Sequence, residues 1–359
     1  MTAAPTNLPY TGIRLVEFTH MVMGPTCGML FADLGAEVIK VEPPTGDNTR
    51  KLLGSGAGFY PLFNRNKKSL TLNLKTPEGI AAAHKLIATA DIVSHNFRPE
   101  TMAAQQLDYD TLKAINPRLI YIELRGFLPG PYEHRTALDE VVQMMGGLAY
   151  MTGPVGQPLR AGSSVNDIMG GLFGAIAAMA ALREREQTGL GQKVQSALFE
   201  NNIFLVAQHM MQYAVTGVPA DPMPNRISAW GVYDVFTVRD SEQIFLSAVS
   251  DKQWEVFCRA LNFADLFADP RYASNNDRVR ERPTLIPLLR ERLANCSAAQ
   301  LTQLFEDNGL PYAPIKRPQD LVDDPHLKAS GGLAPITLPD GRQTDTVLFP
   351  FTLHGQQPG

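Results

Sequence analysis

The chain has 359 residues, long enough for about two domains or for one large domain carrying an insertion. With 44% hydrophobic and 19% charged residues, it can bury a sizeable core. A formal net charge of −4 and the lack of any dense Lys/Arg run argue against nucleic acid or an anionic membrane surface as the main partner.

The three cysteines (Cys27, Cys258 and Cys296) fit neither a zinc spacing nor a disulfide framework, so a reducing cytoplasm is the expected location. The seven histidines are dispersed and form no His-Glu-x-x-His group, and no metal site is expected. MTAAPTNLPYTG does not read as a signal peptide. The longest weakly polar run, Met169–Leu182, falls short of the roughly 20 residues that cross a bilayer.

In chain order, Gly12–Thr19 reads as a buried strand, His20–Pro25 as a loop, and Pro25 as the first residue of a helix reaching Leu34. Glu37–Glu42 is the next strand, completing a strand–helix–strand unit. The backbone N–H groups of its first loop are expected to face ligands above the strand ends. Neither G-x-G-x-x-G nor G-x-x-x-x-G-K-[ST] is present there, which removes the dinucleotide and nucleoside triphosphate fingerprints. Ser69–Leu74, Asp91–Asn96 and Leu119–Leu124 are further strands. Helices are expected from Thr76 (as cap) to Thr89, over Tyr109–Ile115 and over Leu138–Ala149. Another runs from about Ala197 to Val215. This alternation predicts an α/β domain with a mostly parallel sheet.

The stretch Arg160–Val194 organises this half. Ile168, Leu172, Phe173, Ile176 and Met179 recur at helical spacing and predict one buried face. Gly170, Gly171, Gly174, Ala175, Ala177 and Ala178 add no bulk, so other backbone can come close. Ser163, Ser164, Asn166 and Asp167 are the candidate caps. Taken by itself, Asp167 reads as a cap that favours the positive helix end.

Near Gly217 the character changes, and the proline-rich VPADPMPNR reads as a linker. Beyond it come a hairpin (Gly231–Val238 and Gln243–Val249 around Arg239–Glu242) and helices over Asp251–Leu261, Pro283–Leu293 and Ala298–Asn308. A last hairpin, within Ala334–Leu353, turns at Asp340-Gly341. The expected division is a large domain over 1–215, a linker over 216–228, a small α+β domain over 229–320, and a return segment over 321–359.

Many segments together resemble the family III CoA-transferases, the CaiB/BaiF family, which also contains the α-methylacyl-CoA racemases. They include LVEFTHMVMGP, FADLGAEVIKVEPPTGDNTR, NRNKKSLTLNLKTPEG, INPRLIYIELRGFLPGPY and LDEVVQMMGGLAYMTG. SSVNDIMGGLFGAIAAMAALREREQTGLGQKV, SDKQW and GLPYAPIKRPQDLVDDPHLKASGG continue the series in order. The resemblance implies an interlocked homodimer, with a Rossmann-like large domain built from both chain ends and a small domain inserted between them. It implies a CoA-transferase acting on acyl-CoA and a carboxylate, with coenzyme A as shared substrate and product and no metal.

Asp167 stands at the position of the family's catalytic aspartate. The resemblance implies that its carboxylate attacks the thioester, giving an aspartyl–acyl anhydride and then an aspartyl-CoA thioester. On that reading the helix end could supply N–H groups to a developing oxyanion, and the glycines leave room for the thioester. Racemases of the family carry a His-Asp pair where this chain has Leu138-Asp139, and leucine moves no proton. Many transferases carry an acidic residue near here, so the resemblance implies that Asp139 or Glu140 orients Asp167 or its substrate. Formyl-CoA:oxalate members carry a glutamine where Val22 stands, two residues after His20, and that exchange is disfavoured. His20 is a candidate thioester contact, or else a structural residue that closes the strand end.

For CoA the candidates are Arg50, Lys75, Asn96, Arg98 and Arg125, with Lys75, Arg98 and Arg125 favoured. Val22, Tyr60 and Arg226 are the substrate candidates, Arg226 (with Trp230 and Tyr233) for a dicarboxylate such as succinate. The competing readings are an acyl-CoA racemase or epimerase, and a non-catalytic CoA-binding homologue.

Overall fold

The computed structural model describes residues 8–226, 228–338 and 340–359. The chain divides into two compact units, one running to Pro224 and resuming at Pro325, the other formed by Asn225–Asp324.

The first unit is built on a six-stranded sheet of order β3-β2-β1-β4-β5-β6. Its strands are β1 (Arg14–Phe18), β2 (Glu37–Glu42), β3 (Lys68–Thr71), β4 (Ile92–His95), β5 (Ile120–Arg125) and β6 (Lys193–Ala197). Every pairing is parallel. Strand order reverses between β1 and β4, so the loops after these two strands flank the crevice where such sheets bind ligands. The helices are α1 (Met23–Asp33), α2 (Phe59–Phe63), α3 (Pro77–Ile87), α4 (Pro99–Ala104) and α5 (Tyr109–Ile115). They continue with α6 (Asp139–Met145), α7 (Leu148–Thr152), α8 (Val165–Thr188) and α9 (Leu198–Thr216). One core lies between the sheet and α1 with α8, and a second lies under α3 and α5.

Several expected elements form as read. Thr76 caps α3, accepting from the Gly79 N–H with Pro77 in the first turn, and α5 has the expected bounds. Others differ. Helix α1 begins at Met23, so Pro25 is its third residue. The single helix expected over Leu138–Ala149 is two, because Gly147 sits at φ +86°, where L side chains are strained. Strand β6 was not anticipated: KVQSA is polar, an edge strand with its first residue exposed.

The largest correction concerns α8. Its fully buried residues include Asn166, Gly170, Gly171, Gly174, Ala175 and Ala178, while of the expected face Ile168, Leu172 and Met179 pack partly buried against the core. Ile176 is 55% exposed. A Cβ at Gly171 would lie 2.5 Å from the Met23 carbonyl oxygen and 2.7 Å from Thr26 Cβ. One at Gly174 would lie 2.5 Å from Leu124 Cδ2. The glycines therefore seat α8 against α1 and β5, and their space is filled by the Met23 carbonyl and the Met23, Thr26 and Leu124 side chains. By length and composition α8 could cross a membrane, but its small-residue face is packed in this core.

The second unit has an antiparallel sheet β7-β8-β9 (Val232–Thr237, Gln243–Ala248 and Tyr312–Pro314). Its core takes in Trp254, Phe257, Leu285, Leu289 and Phe305 from the helices that follow β8. Near the C-terminus β10 (Leu333–Thr337) and β11 (Gln343–Val347) form the expected hairpin, with Gly341 at φ +86°.

Gly171→Val should overpack the α1–α8 contact and cost about 3 kcal/mol. The measurement is chemical denaturation of wild type and variant; an unchanged midpoint would contradict this packing.

Candidate active site

The site begins with a helix end that does not cap itself. Ser164 occupies the N-cap position of α8, but its side chain makes no cap bond. The first N–H groups of a helix lack intrahelical partners, and here they are met from another helix. Asp139, first residue of α6, accepts at Oδ1 from the Asn166 N–H at 2.8 Å and from the Asp167 N–H at 3.2 Å. Asp167 is therefore not the cap, and its role in that reading passes to Asp139. The Ile168 N–H bonds the Ser164 carbonyl. With the N–H groups of Asn166, Asp167 and Ile168 engaged, these three are not the oxyanion donors expected of the helix end.

Gln143, one turn further along α6 and fully buried, donates from Nε2 to Asp139 Oδ2. Its Oε1 accepts from the Ala161 N–H at 2.8 Å. Sequence reasoning missed Gln143, although its spacing of four from Asp139 places both on one helix face. The Arg160 guanidinium lies 3.9 Å from Asp139 and 3.5 Å from Glu140, and Glu140 itself is exposed.

Among the described residues, nothing donates a hydrogen bond to the Asp167 carboxylate. Burial, and then the nearby negative charge of Asp139, push its pKa up to about 7, with Arg160 acting in the opposite direction. A half-buried carboxylate with raised basicity and free lone pairs is chemically a nucleophile or a base.

At the crevice between β1 and β4, Asn96 clamps the loop after β1. Its Oδ1 accepts from the His20 N–H at 3.0 Å, and its Nδ2 donates to the His20 carbonyl at 2.9 Å. The Met21 N–H bonds Thr49 Oγ1. These two N–H groups are spent inside the protein and are not turned towards a ligand. The His20 ring stacks on Phe97, with centroids 5.0 Å apart and planes at 19°. Burial lowers its pKa, which favours a neutral imidazole.

A cavity of about 470 Å³ opens here, with His20, Asn96, Arg98, Arg125, Thr136 and Leu138 on its wall. A second, of about 400 Å³, shares Phe97 and Thr101 with it and adds Lys75, Leu72 and Glu42. The structure thus brings His20, Asn96, Arg98 and Arg125 together, with Lys75 next door. Leu138 carries the first cavity to the residue preceding Asp139. Arg98 donates to Thr136 Oγ1 at 2.6 Å, and Arg125 lies 4.0 Å from Glu123.

Three expected site residues, Val22, Arg50 and Tyr60, are occupied elsewhere. Val22 is 1% exposed and belongs to the core under α1, so its side chain does not line the cavity. Arg50 pairs with Glu42 at 2.7 Å and stacks over Tyr60 at 3.8 Å. The Tyr60 hydroxyl donates to the same Glu42. Arg226 belongs to the second unit, in a cavity of about 560 Å³ with Asp234, Arg282 and Arg290. Trp230 and Tyr233 of that unit have ring centroids 4.8 Å apart.

Beneath the loop after β1 lies a buried charge network. Lys40 Nζ donates to the Thr19 carbonyl at 2.6 Å and pairs with Asp47 at 3.1 Å. Lys67 pairs with Glu17 at 2.9 Å and donates to the Pro25 carbonyl. Burial lowers the Lys67 pKa to about 8, against the pull of Glu17.

The profile of CoA-transferase family III matches residues 10–359. The chain belongs to CoA-transferase family III. As a member of this family it is an enzyme, a transferase. It is 33% identical to the succinate–glutarate CoA-transferase of Agrobacterium fabrum, over 98% of this chain and 92% of that one. It is 32% identical to the succinyl-CoA–D-citramalate CoA-transferase of Chloroflexus aurantiacus, over 92% and 84%. Among solved structures it resembles a CaiB/BaiF family protein from Brucella suis, with TM-score 0.87 and 34% identity, over 97% and 93% of the two chains.

Asp167 holds its proton more tightly folded (pKa about 7) than unfolded (about 4). Its stabilising contribution is therefore complete below pH 4 and is lost as the pH rises through 7. Asp167→Asn should melt higher than wild type at pH 8, by at most about 4 kcal/mol, with the gap closing towards pH 4. Thermal melts of both proteins across that range check it; a constant gap would contradict the raised pKa.

Proposed function

We propose that this CoA-transferase moves CoA between two carboxylic acids through covalent intermediates on Asp167. The observation that carries the reading is the Asp167 carboxylate itself: sheltered, without a hydrogen-bond donor, and raised to a pKa of about 7. A more basic carboxylate is a better nucleophile once ionised. Turnover should accordingly rise as the pH passes through 7.

In the first step an Asp167 oxygen attacks the thioester carbonyl carbon. The C–S bond breaks, leaving an aspartyl–acyl anhydride and CoA thiolate. The thiolate then attacks the aspartyl carbonyl of the anhydride, forming aspartyl-CoA thioester and releasing the donor as its carboxylate. The acceptor carboxylate attacks this thioester, CoA thiolate leaves again, and a second anhydride forms. Attack of the thiolate on the acceptor's carbonyl gives the new acyl-CoA and frees Asp167. Each step needs water kept out, because every intermediate hydrolyses.

We assign CoA to the two adjoining cavities at the β1/β4 crevice, where Arg98, Arg125 and Lys75 offer cations to its phosphates. His20 stands at the same wall as a neutral contact for the thioester. For the acceptor we favour a dicarboxylate such as succinate. Relatives are named for succinate, glutarate and citramalate. We also assign the working form to a homodimer. Ile176 of α8 and Phe204, Met211 and Val215 of α9 are all more than half exposed, an apolar area that a second copy would cover. Native mass spectrometry should show two chains; a single chain would contradict it.

The deciding experiment incubates the protein with succinyl-, glutaryl-, acetyl- and branched acyl-CoA, then traps with hydroxylamine or borohydride. The expected result is a mass change confined to the peptide containing Asp167. Absence of any adduct together with α-proton exchange in deuterated water would establish racemisation instead. Neither signal, with CoA still bound, would leave a binding protein.

A further inference from the structure

We infer that Gln143 is a positioning residue for the Asp167 chemistry: its carboxamide fixes which way the Asp139 carboxylate faces, and so where the first turn of α8 is held. The inference rests on Asp167 being the nucleophile.

Gln143 is fully buried, and its amide is used in two opposite senses. Nε2 donates to Asp139 Oδ2, while Oε1 accepts from the Ala161 N–H. The two partners are unlike, so the amide has one orientation that satisfies both. With Oδ2 committed to Gln143, Oδ1 is the oxygen left to face α8, and it receives the N–H groups of Asn166 and Asp167. The loop leading into α8 is tied by the same side chain, through Ala161. Gln143 thus fastens both approaches to the nucleophile, the capping carboxylate and the incoming chain, without touching the reacting atoms.

Only a carboxamide meets these demands. Methionine has similar length but neither donor nor acceptor, and would orphan Asp139 Oδ2 and the Ala161 N–H. Glutamate keeps the acceptor for Ala161 but sets a second carboxyl against Asp139. The charges acting on Asp167 are those of Asp139 on α6 and Arg160 in the preceding loop. Arg160 is already 3.9 Å from Asp139. An Asp139 released by Gln143 is free to turn towards Arg160 and away from Asp167.

The test is the pH dependence of transferase turnover between pH 5 and 9 for the full-length wild type, Gln143→Met and Gln143→Glu, with circular dichroism confirming folding. Gln143→Met should lower kcat by about tenfold or more, leave the KM for acyl-CoA within about twofold, and move the acid limb below 7. Gln143→Glu, nearly isosteric and usable should the methionine variant fail to fold, should move the limb upwards. Variants that melt earlier but keep the wild-type limb and kcat would reduce Gln143 to packing and overturn the inference. Asp167→Asn is run alongside. If it still turns over, the nucleophile assignment and this inference fall together. If it is inactive while the Gln143 variants keep the wild-type limb, this inference alone falls.

Discussion

The structure of the site depends on one hydrogen-bonded contact, the Asp139 carboxylate lying across the first N–H groups of α8. A helix normally satisfies those groups with its own N-cap side chain. Here Ser164 leaves them unmet and a carboxylate from α6 supplies the cap. The positive helix end favours the Asp139 charge, and the same charge opposes ionisation of Asp167 beside it. One carboxylate serves stability while its neighbour bears the electrostatic cost and gains basicity. This division of labour between two acids follows from geometry: the capped N–H groups belong to residues 166 and 167, so the two carboxylates cannot be far apart.

The rest of the first unit makes that contact possible. Glycine at 170 and 171 lets α8 lie close against α1, and glycine at 174 lets it lie against β5. Helix α1 is in turn anchored through its preceding loop, held by Asn96, Thr49 and the buried Lys40–Asp47 and Lys67–Glu17 pairs. Buried pairs of this kind add little net stability, and their removal one partner at a time is costly. Their effect is to fix backbone carbonyls at Thr19 and Pro25, and hence the position of His20 at the cavity wall.

Much of this was legible in the sequence. The strand–helix alternation, the Thr76 cap, the Arg239–Glu242 turn and the closing hairpin all follow from local patterns, because apolar alternation and turn residues act over short spans. The burial of α8 was read in part: its glycines do let other chain come close, whereas Ile176 of the expected apolar face is exposed. The Asp139 cap and the Gln143 relay join residues more than 15 apart in sequence to the start of α8, and no local pattern carries that information. Arg50 was read as a contact for CoA and Tyr60 as one for the substrate. In the fold they satisfy each other and Glu42. The family resemblance pointed to Asp167, and the fold supplies the physical reason for the raised basicity of its carboxylate.

The most direct test is a site-resolved titration of the Asp167 side chain, by carbon-13 NMR of the Asp-labelled protein with Asp167→Asn to assign the resonance. The account predicts a midpoint near 7 that falls when Asp139 is replaced by Asn. A midpoint near 4, unmoved by that replacement, would contradict it.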